Sequence, residues 1–171
     1  MSRLTDFYRG HALDSEGRTL AALWAYSDDE LEGIHDFIQW MFPLKEPSQF
    51  NPHAPLLTAA DIAEFRRDGR LRESLARSFD VFLAFLGLRF EGGQVVRGPD
   101  FDRKQDVWRF PNHNWLRITR VLTSTRLLGL EDRSRAFFAF LRDLKDSGRS
   151  GIDPRTFGYW DRAANMDPGS S

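Results

Sequence analysis

Apolar positions recur at helical spacing along most of the chain. Leu71, Leu75, Phe79, Phe82 and Leu86 fall on one face and predict a helix over about 71–86. Ile118, Val121, Leu122, Thr125 and Leu128 do the same for a helix over 113–128, which Gly129 should end. Ser27 and Glu30 form a capping box, so a helix is expected from Asp28 to Phe42, where Pro43 stops it. On that helix Leu31, Ile34, Ile38 and Phe42 make the core line, and His35 and Gln39 sit one turn apart at its edge. Thr58 with Asp61 opens another helix, which Gly69 interrupts. Short helices are expected around Leu4–Phe7 and Thr19–Ala25, and a longer one over about 133–145. Asp153-Pro154 caps a last one through Tyr159-Trp160.

Two stretches break the pattern. Residues 43–57 hold four prolines and read as an ordered, extended connection packed on the core. Residues 87–111 are the least helical part, and Gly92-Gly93 marks the turn of a small hairpin near 90–96. The expected fold is all-α, one compact multi-helix domain over 1–164, with that hairpin and a frayed tail over 165–171.

Composition agrees. The chain has 171 residues, 41% of them apolar, with fifteen Phe and five Trp. Leu occurs 20 times against 10 for Val and Ile together, which favours helix over sheet. Trp24, Trp40, Trp108, Trp115 and Trp160 read as core, with one or two available to wall a pocket. There is no Cys, which excludes disulfides, thiolate nucleophiles and cysteine metal sites. The net charge of −1 argues against a general nucleic-acid or membrane-surface binder. No apolar run reaches the ~18 residues of a spanning helix, and no signal-peptide core is present, so the expected location is the cytoplasm.

Candidate chemistry gathers in the two central helices. His113, Arg117, Arg120 and Ser124 form a narrow polar stripe beside the core line of 113–128, bordered by Leu116 and Leu127. The helix N-terminus adds positive potential to His113 and Arg117. From Val107 to Arg126 the chain has four arginines and no carboxylate. Such a cluster attracts an anion: a carboxylate of the same fold, with Glu32 and Asp36 as candidates, a bound phosphate or carboxylate ligand, or a nucleic-acid backbone. Packing of 28–42 against 113–128 would bring His35 and Gln39 to this stripe. His35 and Gln39 can equally hydrogen-bond neighbouring backbone and fix the 43–57 loop. The four histidines show no metal-binding spacing, and no phosphate loop or nucleophile elbow is present, so no cofactor and no metal are expected.

The segments HDFIQWMFPL (35–44) and SQFNPHAPLLT (48–58) resemble the first signature of the opioid growth factor receptor conserved region. NHNWLRITRVLTSTRLLGL (112–130) is similar to the second, and FLGL (85–88) and Tyr159-Trp160 follow in the expected order. The likeness runs over roughly residues 5–162, with Phe37 and Trp115 where Tyr is expected and Met41 where Leu is expected. It implies a receptor-like module, which in the vertebrate protein belongs to a receptor for an enkephalin peptide linked to the nucleus and growth control. Length and high Arg usage fit a stand-alone member. The family supplies no catalytic residue. His35, Gln39, Trp40, Asn51, His113, Asn114, Arg117 and Arg120 match its motifs and are the candidate binding residues. The expected role is a binding module for a small anionic ligand or a peptide carboxylate. Arg117 and Arg120 would clamp the anion, His113 would donate a hydrogen bond, and Trp40 or Trp115 would give an apolar wall. The alternatives are an enzyme on a phosphate or nucleic-acid substrate with His35 and His113 as acid–base pair, and a structural protein-interaction domain.

Overall fold

The structure is a computed structural model and describes residues 1–166. Helices dominate, with one two-stranded hairpin. The chain divides into two compact units, Met1–Val81 and Phe82–Ser171.

The first unit holds α1 (Arg3–Tyr8), α2 (Leu20–Trp24), α3 (Asp28–Gly33), α4 (Ile38–Met41), α5 (Ala59–Arg67) and most of α6 (Gly69–Phe85). Local capping explains most of these starts. Ser2, Ser27 and Thr58 each close a capping box, with Thr5, Glu30 and Asp61, and Thr19 caps α2. The Ser2 hydroxyl also donates to the Asp61 carboxylate at 2.6 Å, which ties the start of α1 to the start of α5. Rings fill the centre. Phe7 meets Trp40 edge-on at 5.1 Å, and Tyr8 meets Phe65 at 5.1 Å. The Tyr8 hydroxyl, fully buried, donates to the Met41 carbonyl.

The helix expected over 28–42 is broken. α3 ends at Gly33, Ile34 is extended, and α4 is a single turn. Gly33 and β-branched Ile34 weaken the helix locally. Partners from outside then capture the backbone: Asn51 Nδ2 donates to the Asp36 carbonyl at 3.2 Å, and Arg18 donates to the same oxygen at 3.4 Å. The break lets Phe37 bury itself against Tyr26, which it meets edge-on at 5.6 Å.

The second unit begins with β1 (Leu88–Glu91) and β2 (Gln94–Arg97), antiparallel with Glu91 opposite Gln94. Gly92 and Gly93 both have positive φ, as a two-residue hairpin turn of this type requires. A 3₁₀ helix over Asp102–Trp108, which the sequence pattern does not announce, leads to α7 (His113–Leu127), α8 (Glu131–Asp146) and α9 (Pro154–Asn165). α7 packs on both α8 and α9. Its core line of Ile118, Val121, Leu122, Thr125 and Leu128 is fully buried. Polar ties reinforce the packing: Ser134 donates to the Leu122 carbonyl at 2.8 Å, Arg126 Nε to the Ala163 carbonyl at 2.6 Å, and Trp160 Nε1 to the Trp115 carbonyl at 3.2 Å. The tail expected over 165–171 lies, from residue 167 onward, outside the described residues; Asn165 still belongs to α9.

α9 starts as the sequence indicates, with Asp153 as cap and Pro154 in the first turn. The Asp153 carboxylate accepts from the Thr156 N–H at 2.8 Å and from its hydroxyl at 3.0 Å, and these bonds hold its pKa below the ordinary value. A carboxyl with a depressed folded-state pKa stabilises the fold above its unfolded pKa, and that contribution is lost as pH falls through the folded value. Asp153→Asn keeps an acceptor but does not titrate there. The variant is expected to lose less helical signal than the parent on acidification from about pH 5 to about pH 2. Superimposable acid titrations by circular dichroism would contradict this.

Candidate functional site

The polar start of α7 is built by Asn112. Its side-chain oxygen accepts from the Asn114 N–H at 3.0 Å, and its Nδ2 donates to the carbonyls of Val107 and Phe110, both at 2.8 Å. Trp115 Nε1 donates to the same Val107 carbonyl at 2.7 Å. The 107–112 loop is thus pinned to the first two turns of the helix. This pinning leaves Phe110 74% exposed. Leu116, one turn into α7, is 62% exposed. His113 and Arg120 lie three residues before and four after Leu116, on the same helix face, and both are half-buried. Arg117 is buried, with Nη1 donating to Asn114 Oδ1 at 3.2 Å. Ser124, at the far end of the expected stripe, is fully buried, so the stripe descends from the surface into the core.

The candidate residues of the first unit have a different setting. Gln39 is buried, and its Nε2 donates to the His35 carbonyl at 3.3 Å and the Ser48 hydroxyl at 3.5 Å. The Ser48 hydroxyl accepts from the Phe50 and Asn51 N–H groups, both at 3.2 Å. Asn51 Oδ1 accepts from the His53 N–H at 3.1 Å. Leu57 N–H donates to the Leu44 carbonyl at 2.9 Å. Gln39 therefore meets the 43–57 connection through the Ser48 hydroxyl, and Asn51 ties it to main-chain groups of Asp36 and His53. Trp40 is buried, with its Nε1 directed at the Ser15 hydroxyl at 3.3 Å, while the His35 side chain is exposed. Trp40 and Trp115 are both core side chains. The exposed large apolar residues nearest His113 in the sequence are Phe110 and Leu116, three residues before and after it.

Sequence reading missed the charged centre around Arg18. Asp14 is buried and accepts from the Glu16 and Arg18 N–H groups at 3.0 and 2.8 Å. Arg18 Nε donates to Asp14 at 2.7 Å, and its Nη1 donates to Asp36 at 2.8 Å. Burial works against the Arg18 charge, but the bonds to Asp36 and Asp14 outweigh it and raise the pKa above the ordinary arginine value. Asp36, expected as an anion for the α7 arginines, carries this ion pair to Arg18. The only signal in the sequence was Asp14 and Arg18 four apart, in a stretch with no helix to give that spacing meaning.

The family model for the opioid growth factor receptor (OGFr) conserved region matches residues 12–148. The chain belongs to this family. The match takes in the α7 face, the loop-fixing residues and the Arg18 centre. Human opioid growth factor receptor is 39% identical over 111 residues, which is 63% of this chain and 16% of the human protein. The mouse receptor is 40% identical over 111 residues, 63% of this chain and 17% of its own. Opioid growth factor receptor-like protein 1 of Xenopus tropicalis is 33% identical over 111 residues, 64% of this chain and 22% of the relative. The chain thus spans less than a quarter of the length of these relatives. No solved structure matches it. No helix among the described residues is long and apolar enough to cross a membrane.

Proposed function

We propose that this family member is a receptor-like binding module that takes a peptide presenting a carboxylate, and that the exposed face at the start of α7 receives it. One observation carries the reading. Phe110 and Leu116 are large, apolar and exposed, three residues before and after the half-buried His113, with the half-buried Arg120 one turn beyond Leu116, in a stretch from Val107 to Arg126 that contains no carboxylate. Apolar side chains held out by a pinned loop cost little ordering entropy on binding. In this reading Phe110 and Leu116 contact an apolar residue of the peptide. Arg120 pairs with the carboxylate, and His113 donates a hydrogen bond. Arg117, tethered to Asn114, adds charge from behind, and the helix N-terminus contributes in the same sense. The names of the human and mouse relatives make opioid growth factor the first peptide to try.

The test is thermal unfolding with opioid growth factor, with the same peptide amidated at its C-terminus, and with inorganic phosphate. A ligand at 100 times its dissociation constant adds about 2.7 kcal/mol, or roughly 5–11 °C at this chain length. The free-carboxylate peptide is expected to give such a shift and the amidated one much less. Arg120→Ala and Leu116→Ala are each expected to lose most of it. Equal stabilisation of both variants and the parent, or a response to phosphate and no peptide, would overturn the proposal.

A further inference from the structure

The outward seam of α8 carries Arg135, Phe138, Ala139 and Arg142, at positions i, i+3, i+4 and i+7 of one helix face. Together with Phe157 and Asp161 of α9 these residues line a groove of about 490 Å³. Its floor is set by Phe138, which stacks on Phe157 with ring centres 5.2 Å apart. Ala139 leaves the middle of the α8 wall low, so that another backbone can approach closely. Arg135 and Arg142 stand exposed on either side of it, about 10 Å apart along the helix axis. The Arg142 guanidinium lies over the Phe138 ring at 5.8 Å, and the Lys145 ammonium over the Phe157 ring at 5.1 Å. The α9 wall presents Asp161.

We infer that this groove docks an amphipathic helix of a partner protein, with acidic residues along the edge that meets α8. The argument is charge complementarity at matched spacing. Two arginines seven residues apart face two carboxylates seven residues apart on an incoming helix, because both helices rise by the same amount per residue. Aliphatic residues between those carboxylates would settle over Ala139 and Phe138. Asp161 repels acid on the opposite edge and favours a basic residue there, so the groove also sets the direction of the guest. The wider field acts in the same sense, since residues 82–171 hold 15 Lys and Arg against 11 Asp and Glu. His113, Leu116 and Arg120 take no part.

The experiment titrates the full ¹⁵N-labelled chain with a synthetic alanine-rich helix bearing the pattern Glu-x-x-Leu-Leu-x-x-Glu. Its controls carry Lys in place of both Glu, or a central Pro that prevents the helix. Expected are resonance shifts confined to α8 and α9, with affinity falling about tenfold or more for the Lys peptide, the Pro peptide and the Arg135→Glu, Arg142→Glu double variant. Both arginines are exposed, so that variant should keep its fold. Absence of shifts in α8 and α9, equal binding of the Lys peptide, or full binding by the charge-reversed variant overturns the inference. Equal binding of the Pro peptide overturns its helical part. Loss of binding in Arg120→Ala would assign the peptide to the α7 face instead.

Discussion

Arg18→Ala is expected to destabilise the protein by about 3–5 kcal/mol, the range seen when one partner of a buried ion pair is removed. The cost arises at Asp14. Its side chain has no solvent exposure, and Arg18 Nε is its one cationic contact among the described residues, at 2.7 Å. Without Arg18 a buried carboxylate keeps two backbone donors, from Glu16 and residue 18, and loses its counter-charge. The second pair, to Asp36, adds little, because that carboxylate is 43% exposed and solvent screens it. Chemical denaturation of the parent, Arg18→Ala, Asp14→Ala and the double variant separates these contributions. The double variant should be less destabilised than the sum of the two singles. Additive losses would show that the pair is not coupled.

Gly151→Ala should cost about 3 kcal/mol or more, through a different mechanism. A Cβ at this position would overlap the carbonyl oxygen of Arg109 and lie 2.7 Å from its carbon, and the obstacle is backbone that cannot rotate away. The Gly151 N–H also donates to the Trp108 carbonyl at 2.7 Å, so the two strands of chain cannot separate without losing that bond. Gly148→Ala is the internal control. Gly148 has a φ of +71° but open space around it, so only left-handed backbone strain of roughly 1–2 kcal/mol applies. Comparable melting temperatures for the two variants would contradict the steric account. The 108–112 segment carries Phe110, so Gly151→Ala should also weaken the peptide binding proposed for the start of α7.

The elements that were legible in the sequence are those whose cause is local. The capping boxes at Ser27 and Thr58, the Gly92-Gly93 turn and the Asp153-Pro154 cap each need only four or five residues, and each stands where the sequence puts it. The core line of α7 was legible because the helix is long and its period sustained. The break between α3 and α4 was hidden because its causes, Arg18 and Asn51, lie far along the chain on either side. The 3₁₀ helix before Trp108 was hidden too, since charged residues there gave no apolar period. At the candidate site the residue types and their common face could be read from the α7 pattern. Their depths could not. A wheel sets Leu116 and Arg117 about 100° apart, on opposite sides of the stripe, but only the packing of α7 puts the arginine inside and the leucine out.

Besides the Arg18 pair to the Asp36 carboxylate, the residues between α3 and α4 are held by bonds that end on main-chain oxygens, at His35 from Gln39 and at Asp36 from Asn51 and Arg18. Every amino acid carries that oxygen. The segment's shape therefore depends on which residues reach toward it, and hardly on the identity of the residue reached. Over evolutionary time position 35 should drift among family members, while positions 39 and 51 should tolerate few replacements, because no other side chain offers the same amide at the same reach.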